Sequence, residues 1–282
     1  MFTPSVVAGA PRPVVAVGRL LVWHGASVWI GRDTGRVQAH RHHAIQITLA
    51  PMGPVRMSAA GESWRELTAA IVMPDRPHVL DGGEQPVAMV FVEPETATGR
   101  ALVSRYGEQD VWDVSDDRLS ALAGELHGQF QLRAPDHALI ATARRVIDCL
   151  APAHARTTVL DPRVAAVVGR IRDDPGRAVT LAHAAAWAHL SPGRFRHLFV
   201  AQTGITFRAY LLWARVVHAV ARGMAGSSWT DAAQQAGFSD SAHLSRTCRR
   251  MFGVAPTMLV AEERDRSSSR RGGSLRRSST AA

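Results

Sequence analysis

The chain has 282 residues, 46% of them apolar, which is length for about two ordinary domains and enough apolar material to exclude wholesale disorder. Its formal net charge is +9, and because it contains no Lys, all 33 basic residues are Arg. Cys149 and Cys248 are the only cysteines and stand far apart, which excludes a disulfide framework and a cysteine-rich zinc site.

The charge is unevenly spread. Residues 1–150 carry 14 Arg against 16 acidic residues, net −2, whereas residues 151–282 carry 19 Arg against 8, net +11. A near-neutral half joined to a strongly basic half is expected when a sensing or catalytic domain is attached to one that binds nucleic acid. Residues 1–10 lack a basic segment before their short apolar stretch, and Arg19 and His24 interrupt the richest apolar run, Val14 to Ile30. Neither a signal peptide nor a membrane span is expected, so the reading is a cytoplasmic protein without a membrane partner.

From Val14 to about Val92 the apolar residues come in short runs: Ala26 to Ile30, Ala44 to Leu49, Ala69 to Met73 and Val87 to Val92. Turn-forming clusters such as Pro51 to Pro54 and Pro74 to Pro77 separate them. This spacing predicts an antiparallel sandwich or barrel. Trp23, Trp29 and Trp64 fall here and can either fill a core or wall a ligand pocket.

Further on, Leu119, Leu122, Leu126 and Phe130, then Ile140, Ala143, Ile147 and Leu150, recur at helical spacing and predict two amphipathic helices over 116–151. Their apolar faces suit packing against the sheet or a dimerisation surface. Ala151 to Thr158 is expected to be a linker, and Asp161-Pro162 opens another helix with an N-cap followed by Pro. The tail from Arg264 is rich in Ser, Arg and Gly and is expected to be disordered.

Between Val179 and Pro256 one pattern occurs twice. Thr180 to Phe199 and Ser228 to Cys248 each read as a short helix, a tight turn, a Ser N-cap and a second helix. Ala185 and Ala233 stand where two crossing helices approach closely. Gly237 supplies the left-handed turn residue, and His189 occupies the equivalent position of the first copy. In the second helices Phe195, Leu198 and Phe199, or Leu244 and Cys248, point inward. Arg194, Arg196 and His197, and Ala242, His243, Ser245, Arg246, Arg249 and Arg250, are left facing out as candidate DNA contacts. Phe207 to Met224 predicts a connecting helix of roughly 27 Å, near the ~34 Å between successive major-groove faces.

Residues 161–260 resemble the DNA-binding domain of AraC/XylS-type transcriptional regulators. The resemblance rests on Gly204-Ile205-Thr206-Phe207, Tyr210, Arg215, Ala219, Ala232-Ala233, Gly237-Phe238-Ser239-Asp240 and Phe252-Gly253-Val254-Ala255-Pro256. Departures are His189 for the usual Gly, Cys248 for a usual aromatic, and Leu259-Val260 where an aromatic followed by Arg often stands. Over residues 14–95, His40-Arg41-His42-His43 with Gln46 and the later His78 resemble the cupin sensing domains that often precede this domain. Metal-binding cupins carry a carboxylate where Gln46 stands. His40, His42, Gln46, His78 and Trp64 are therefore candidates for effector binding, with His40, His42 and His78 as weak candidates for a metal.

The expected fold is α+β. A cupin-like β-barrel at 1–112 and a helical linker or dimerisation region at 113–157 precede an all-α domain with two helix-turn-helix units at 158–260 and a basic tail at 261–282. The expected function is sequence-specific binding of promoter or operator DNA under control of a small-molecule effector, without catalysis or a cofactor. RNA polymerase, for an activator, and a second copy of the chain are expected partners. The rival is a metal-dependent cupin enzyme that uses His40, His42 and His78 and carries a basic helical domain.

Overall fold

The computed structural model describes residues 15–59, 61–151 and 159–262. The N-terminal ten residues, most of the expected linker and the basic tail lie outside these. The N-terminal domain holds β1 (Val15–Trp23), β2 (Ala26–Thr34), β3 (Ile45–Leu49), β4 (Val55–Ala59), β5 (Arg65–Leu67), β6 (Ala69–Val72), β7 (His78–Asp81), β8 (Pro86–Val92), α1 (Ala97–Tyr106) and β9 (Val111–Asp113). A last strand, β10 (Leu259–Ala261), returns from the far end of the chain. Seven strands form one sheet in the order β10-β1-β2-β8-β3-β6-β9, and β5-β4-β7 form a second.

The unbroken apolar run of β6 follows from burial of the larger sheet on both faces, and β3, although it alternates as Ile-Gln-Ile-Thr-Leu, is likewise buried at every position. On one face Trp29, Ala70, Val72 and Val87 pack against Val55, Met57 and Leu80 of the smaller sheet. On the other, Val28, Ile45, Ile47, Ile71 and Val90 meet α2 (Asp117–Gln131) and α3 (Asp136–Leu150) through Leu119, Leu122, Leu126, Leu139 and Val146. Each such side chain contributes about 1.5–3 kcal/mol when fully buried. The sheet thus takes up the apolar faces of residues 116–151. Asp116 and Thr96 cap α2 and α1, each accepting a backbone N–H three residues on.

The C-terminal domain is helical: α4 (Pro162–Asp173), α5 (Leu181–Trp187), α6 (Pro192–Thr203), α7 (Phe207–Met224), α8 (Trp229–Gln235) and α9 (Ser241–Phe252). Asp161 caps α4 ahead of Pro162, as the Asp-Pro pair predicts. Two cores meet along α7. Val164, Val168 and Ile171 of α4 pack with Phe195, Phe199, Phe207 and Tyr210, while Trp213, Val216 and Ala219 pack with Ala233, Phe238, Leu244 and Cys248. Ala44, from the loop before β3, belongs to the second of these cores. The chain then leaves α9, and β10 pairs in parallel with β1, Ala16 opposite Leu259 and Gly18 opposite Ala261. Leu259-Val260, a departure from the family pattern, is therefore the strand by which the helical domain joins the sheet.

Candidate nucleic-acid interface and ligand cavity

Each helix-turn-helix unit is set by its turn and its cap. Gly237 has φ +77°, and His189 takes φ +53° at the equivalent place, so the left-handed conformation is kept without glycine at some cost in backbone energy. Ser191 caps α6 and accepts the Arg194 N–H, as expected. In the second unit the cap is Asp240, not Ser: its carboxylate accepts the His243 N–H at 2.6 Å, and Ser239 donates to it at 3.0 Å. These hydrogen bonds hold the Asp240 carboxyl below its usual range. A carboxylate there also complements the positive end of α9.

Beyond the turns, Phe195, Phe199, Leu244 and Cys248 are buried, and Arg194, Arg196, His197, Ala242, Arg246, Arg249 and Arg250 are exposed. His243 and Ser245 are half-buried. The His243 ring stands edge-on to Phe238 at 5.1 Å, which leaves it less free than its neighbours to reach a base. The two exposed faces offer guanidinium groups to phosphates and base edges.

A second site lies between the domains. Leu20, Trp29, Val37, Met89 and Phe91 of the sheet domain, with His40 and Gln46, face Trp213, Val217 and Val220 of α7 and Phe252, Val254 and Leu259 beyond it. Among the described residues, the lining contains no Arg, Asp or Glu. The buried indole N–H groups of Trp29 and Trp213, two of the lining residues, have no partner among the described residues. Its free volume is about 90 Å³, small beside the roughly 300 Å³ at which ligand pockets ordinarily begin. A ligand of more than a few heavy atoms must push the α7 and α9 side chains away from the sheet.

Next to this cavity His40, His42 and His78 are gathered by the bridge between residues 40 and 78, with one ring nitrogen from each within 4.8 Å of the others. All three are buried. Burial lowers their basicity, His40 to about 4, with the neighbouring imidazoles adding to the effect, so the rings are neutral near pH 7. Of the candidate effector residues, His40 and Gln46 line the cavity, and His42 and His78 stand behind them. Trp64 lies elsewhere: its ring sits between the guanidinium groups of Arg36 and Arg56, at 4.7 and 4.9 Å. Trp23 is likewise away from the cavity, under Arg144.

A polar cluster that sequence reasoning did not identify joins the domains on the other side of His42. His43 meets the buried carboxylate of Glu95 at 2.5 Å, and Arg172 of α4 pairs with Glu93. Burial alone would lower the His43 pKa, but Glu95 and Asp75 outweigh it and raise it to about 9. Tyr210 of α7 stands edge-on to His43 at 6.0 Å. No sequence signal relates Arg172 to Glu93, which lies 79 residues earlier. The same holds for the cavity walls that α7 and the segment after α9 supply.

Residues 184–261 match the family model described as a helix-turn-helix domain. No curated protein sequence matches the chain. Among solved structures, ToxT from Vibrio cholerae O395 is 13% identical, covers 83% of this chain and 96% of its own length, and superposes with a TM-score of 0.54. ToxT from Vibrio cholerae strain SCE256, solved with an unsaturated fatty acid bound, is 14% identical over 89% of this chain and 96% of its own, with a TM-score of 0.51. At these identities the likeness establishes a shared fold. Among the described residues, no helix is long and apolar enough to cross a membrane.

Proposed function

We propose, from the premise that this chain is a DNA-binding regulator with an AraC-type helix-turn-helix domain behind its N-terminal domain, that an uncharged apolar effector controls it from the cavity between the two. The observation that carries this reading is the shared wall: one cavity is lined by both the sheet domain and α7. A ligand that enlarges it stabilises one arrangement of the domains over another, which is the differential affinity any effector needs. Among the described residues the lining has no Arg and His40 is neutral, so a bound carboxylate would go unpaired by them. The two indole donors instead suit a carbonyl, ether or hydroxyl oxygen on an otherwise apolar molecule.

The two exposed faces of α6 and α9 then bind promoter or operator DNA, with Arg246 as the base-reading residue and Arg249 and Arg250 on phosphates. The protein works in the cytoplasm without catalysis, binds as a homodimer and, where it activates, meets RNA polymerase. The divisions at 1–112, 113–157 and 158–260 are part of this proposal, with the amendments that α2 and α3 share one core with the sheet and that β10 pairs with β1. A metal enzyme is the weaker reading, because Gln46 stands hydrogen-bonded at 3.0 Å to His42 where the enzymes of this pattern need a carboxylate.

Selection of bound duplexes with the purified protein, followed by titration of uncharged and carboxylate-bearing apolar compounds, tests the reading. Uncharged compounds should quench tryptophan emission and change DNA affinity, and Val217→Trp should abolish both responses while leaving DNA binding in place. Val217→Trp protein that still responds would remove the cavity from the account.

A further inference from the structure

We infer that Arg41, a residue of the sheet domain, is a further DNA contact and carries the phosphate-binding face of α9 onto that domain. In a helix-turn-helix unit the first residues of the reading helix meet base edges, and its far end lies toward the sugar-phosphate backbone. Ala242, Arg246, Arg249 and Arg250 follow one another at helical spacing along the exposed face of α9. That face ends at Gly253, which is left-handed, at φ +72°, and buried. The sheet domain covers it: a side chain at Gly253 would meet Gln38 O at 2.5 Å and His40 Nδ1 at 2.9 Å, in the segment between β2 and β3. Arg41 follows directly, is exposed, and donates its backbone N–H to the Arg250 carbonyl at 3.4 Å.

The backbone around Arg41 is fixed before any DNA arrives. His40 and His78 exchange both of their backbone hydrogen bonds, at 3.1 and 2.9 Å, and the Asp75 N–H donates to the His42 carbonyl at 2.8 Å. The residues on either side of Arg41 are thus pinned, and docking its side chain costs rotamer freedom but little backbone entropy.

The charge has no counterpart inside the protein. Among the described residues, none of Arg41, Arg249 and Arg250 has an ion-pair or hydrogen-bond partner for its guanidinium group. The Asp75 carboxylate faces His43 at 3.9 Å, and that of Asp240 caps α9 at its other end. Like charges gathered in this way repel one another, and an anion from outside relieves the repulsion. Duplex phosphates are such anions, and binding them also releases counterions.

The segment that carries Arg41 lines the cavity through Val37 and His40, opposite Phe252 and Val254. On the effector reading above, a ligand that parts these walls therefore changes the distance from Arg41 to Arg249 and Arg250.

The test measures affinity of the full-length protein for a selected duplex over a range of salt. Arg41→Gln should flatten the salt dependence by about one unit and weaken all duplexes alike, about five- to tenfold near 0.1 M salt. Arg41→Lys keeps the charge and should keep the slope. Arg145→Gln removes the same charge from α3, on the other face of the larger sheet, and should leave the slope unchanged. An unchanged slope in Arg41→Gln, or an equal fall in Arg145→Gln, would overturn the contact. Arg249→Gln separates this inference from the reading of α9 on which it rests: a fall there with none in Arg41→Gln overturns the sheet-domain contact alone, and a fall in neither overturns both. Phosphate ethylation should reveal one phosphate, beside those contacted by α9, whose modification hinders the unaltered protein and not Arg41→Gln; identical patterns would overturn the contact. Uncharged compounds that alter the affinity of the unaltered protein should alter that of Arg41→Gln less, and an equal change would overturn the link to the cavity.

Discussion

The part of the helical domain around the first helix-turn-helix unit meets the sheet domain through polar groups, Arg172 of α4 with Glu93 and Tyr210 of α7 beside His43, whereas the part around the second shares an apolar core, a strand and a cavity wall with it. The two attachments answer to different forces. A buried ion pair is sensitive to loss of one partner and insensitive to small changes of volume. A close-packed apolar seam is the reverse, because a single added group forces its neighbours apart. A ligand entering the cavity therefore acts on α7 and α9, and the polar cluster keeps α4 in place while it does so.

The largest expected effect breaks the polar attachment. Arg172→Ala leaves the Glu93 carboxylate half-buried without its partner, and should cost about 3 kcal/mol in urea unfolding. Arg172→Met combined with Glu93→Leu should recover most of that loss, since it removes both charges. A double variant as unstable as the single one would show that the pair does more than neutralise itself.

Next in size is the contrast between the turns. Gly237→Val places a branched side chain at φ +77° and within 3.1 Å of the Gly176 carbonyl, and should cost about 2 kcal/mol. His189→Gly relieves the same conformation in the first unit and should gain about 1 kcal/mol, read as a higher unfolding midpoint. Destabilisation by His189→Gly would contradict the matched backbone of the two turns.

On DNA, Arg246→Ala should cost about 1–3 kcal/mol on the preferred duplex and relax preference at one base pair, measured across single-base variants of the site. A uniform loss across the panel would make Arg246 a phosphate contact. The smallest effect is expected for Arg249→Ala or Arg250→Ala, which should weaken all duplexes alike and flatten the salt dependence by about one unit.

Much of this was legible in the order of residues. The helix-turn-helix pattern and the Asp161-Pro162 start are local, fixed within a few residues by caps and turns, and the structure bears them out, His189 in its left-handed place included. The four apolar runs lie in β2, β3, β6 and β8. What stayed hidden depends on distant partners. Leu259-Val260 looked like a defect in the family pattern because its partner, β1, lies more than 200 residues earlier. Trp64 matched a pocket wall in residue type, yet two arginines on neighbouring segments hold it at the surface. Helix α1 escaped notice because Gly99 breaks its apolar stripe, and that glycine is required where the helix presses on the Glu93 carbonyl, 2.1 Å from where a side chain would begin. The repeated pattern points to Ser as the cap of α9, whereas the adjacent Asp240, with the stronger acceptor, takes it.

The central claim is that both units of one chain read the duplex while only the side of the second shares an apolar seam with the sheet domain. Hydroxyl-radical footprinting of the full-length protein on a selected duplex tests it most directly. The account predicts, for each bound protomer, two protected patches about one helical turn apart on one side of the DNA, with Arg194→Ala weakening one patch and Arg246→Ala the other. A single patch, unchanged in position by either substitution, would contradict it.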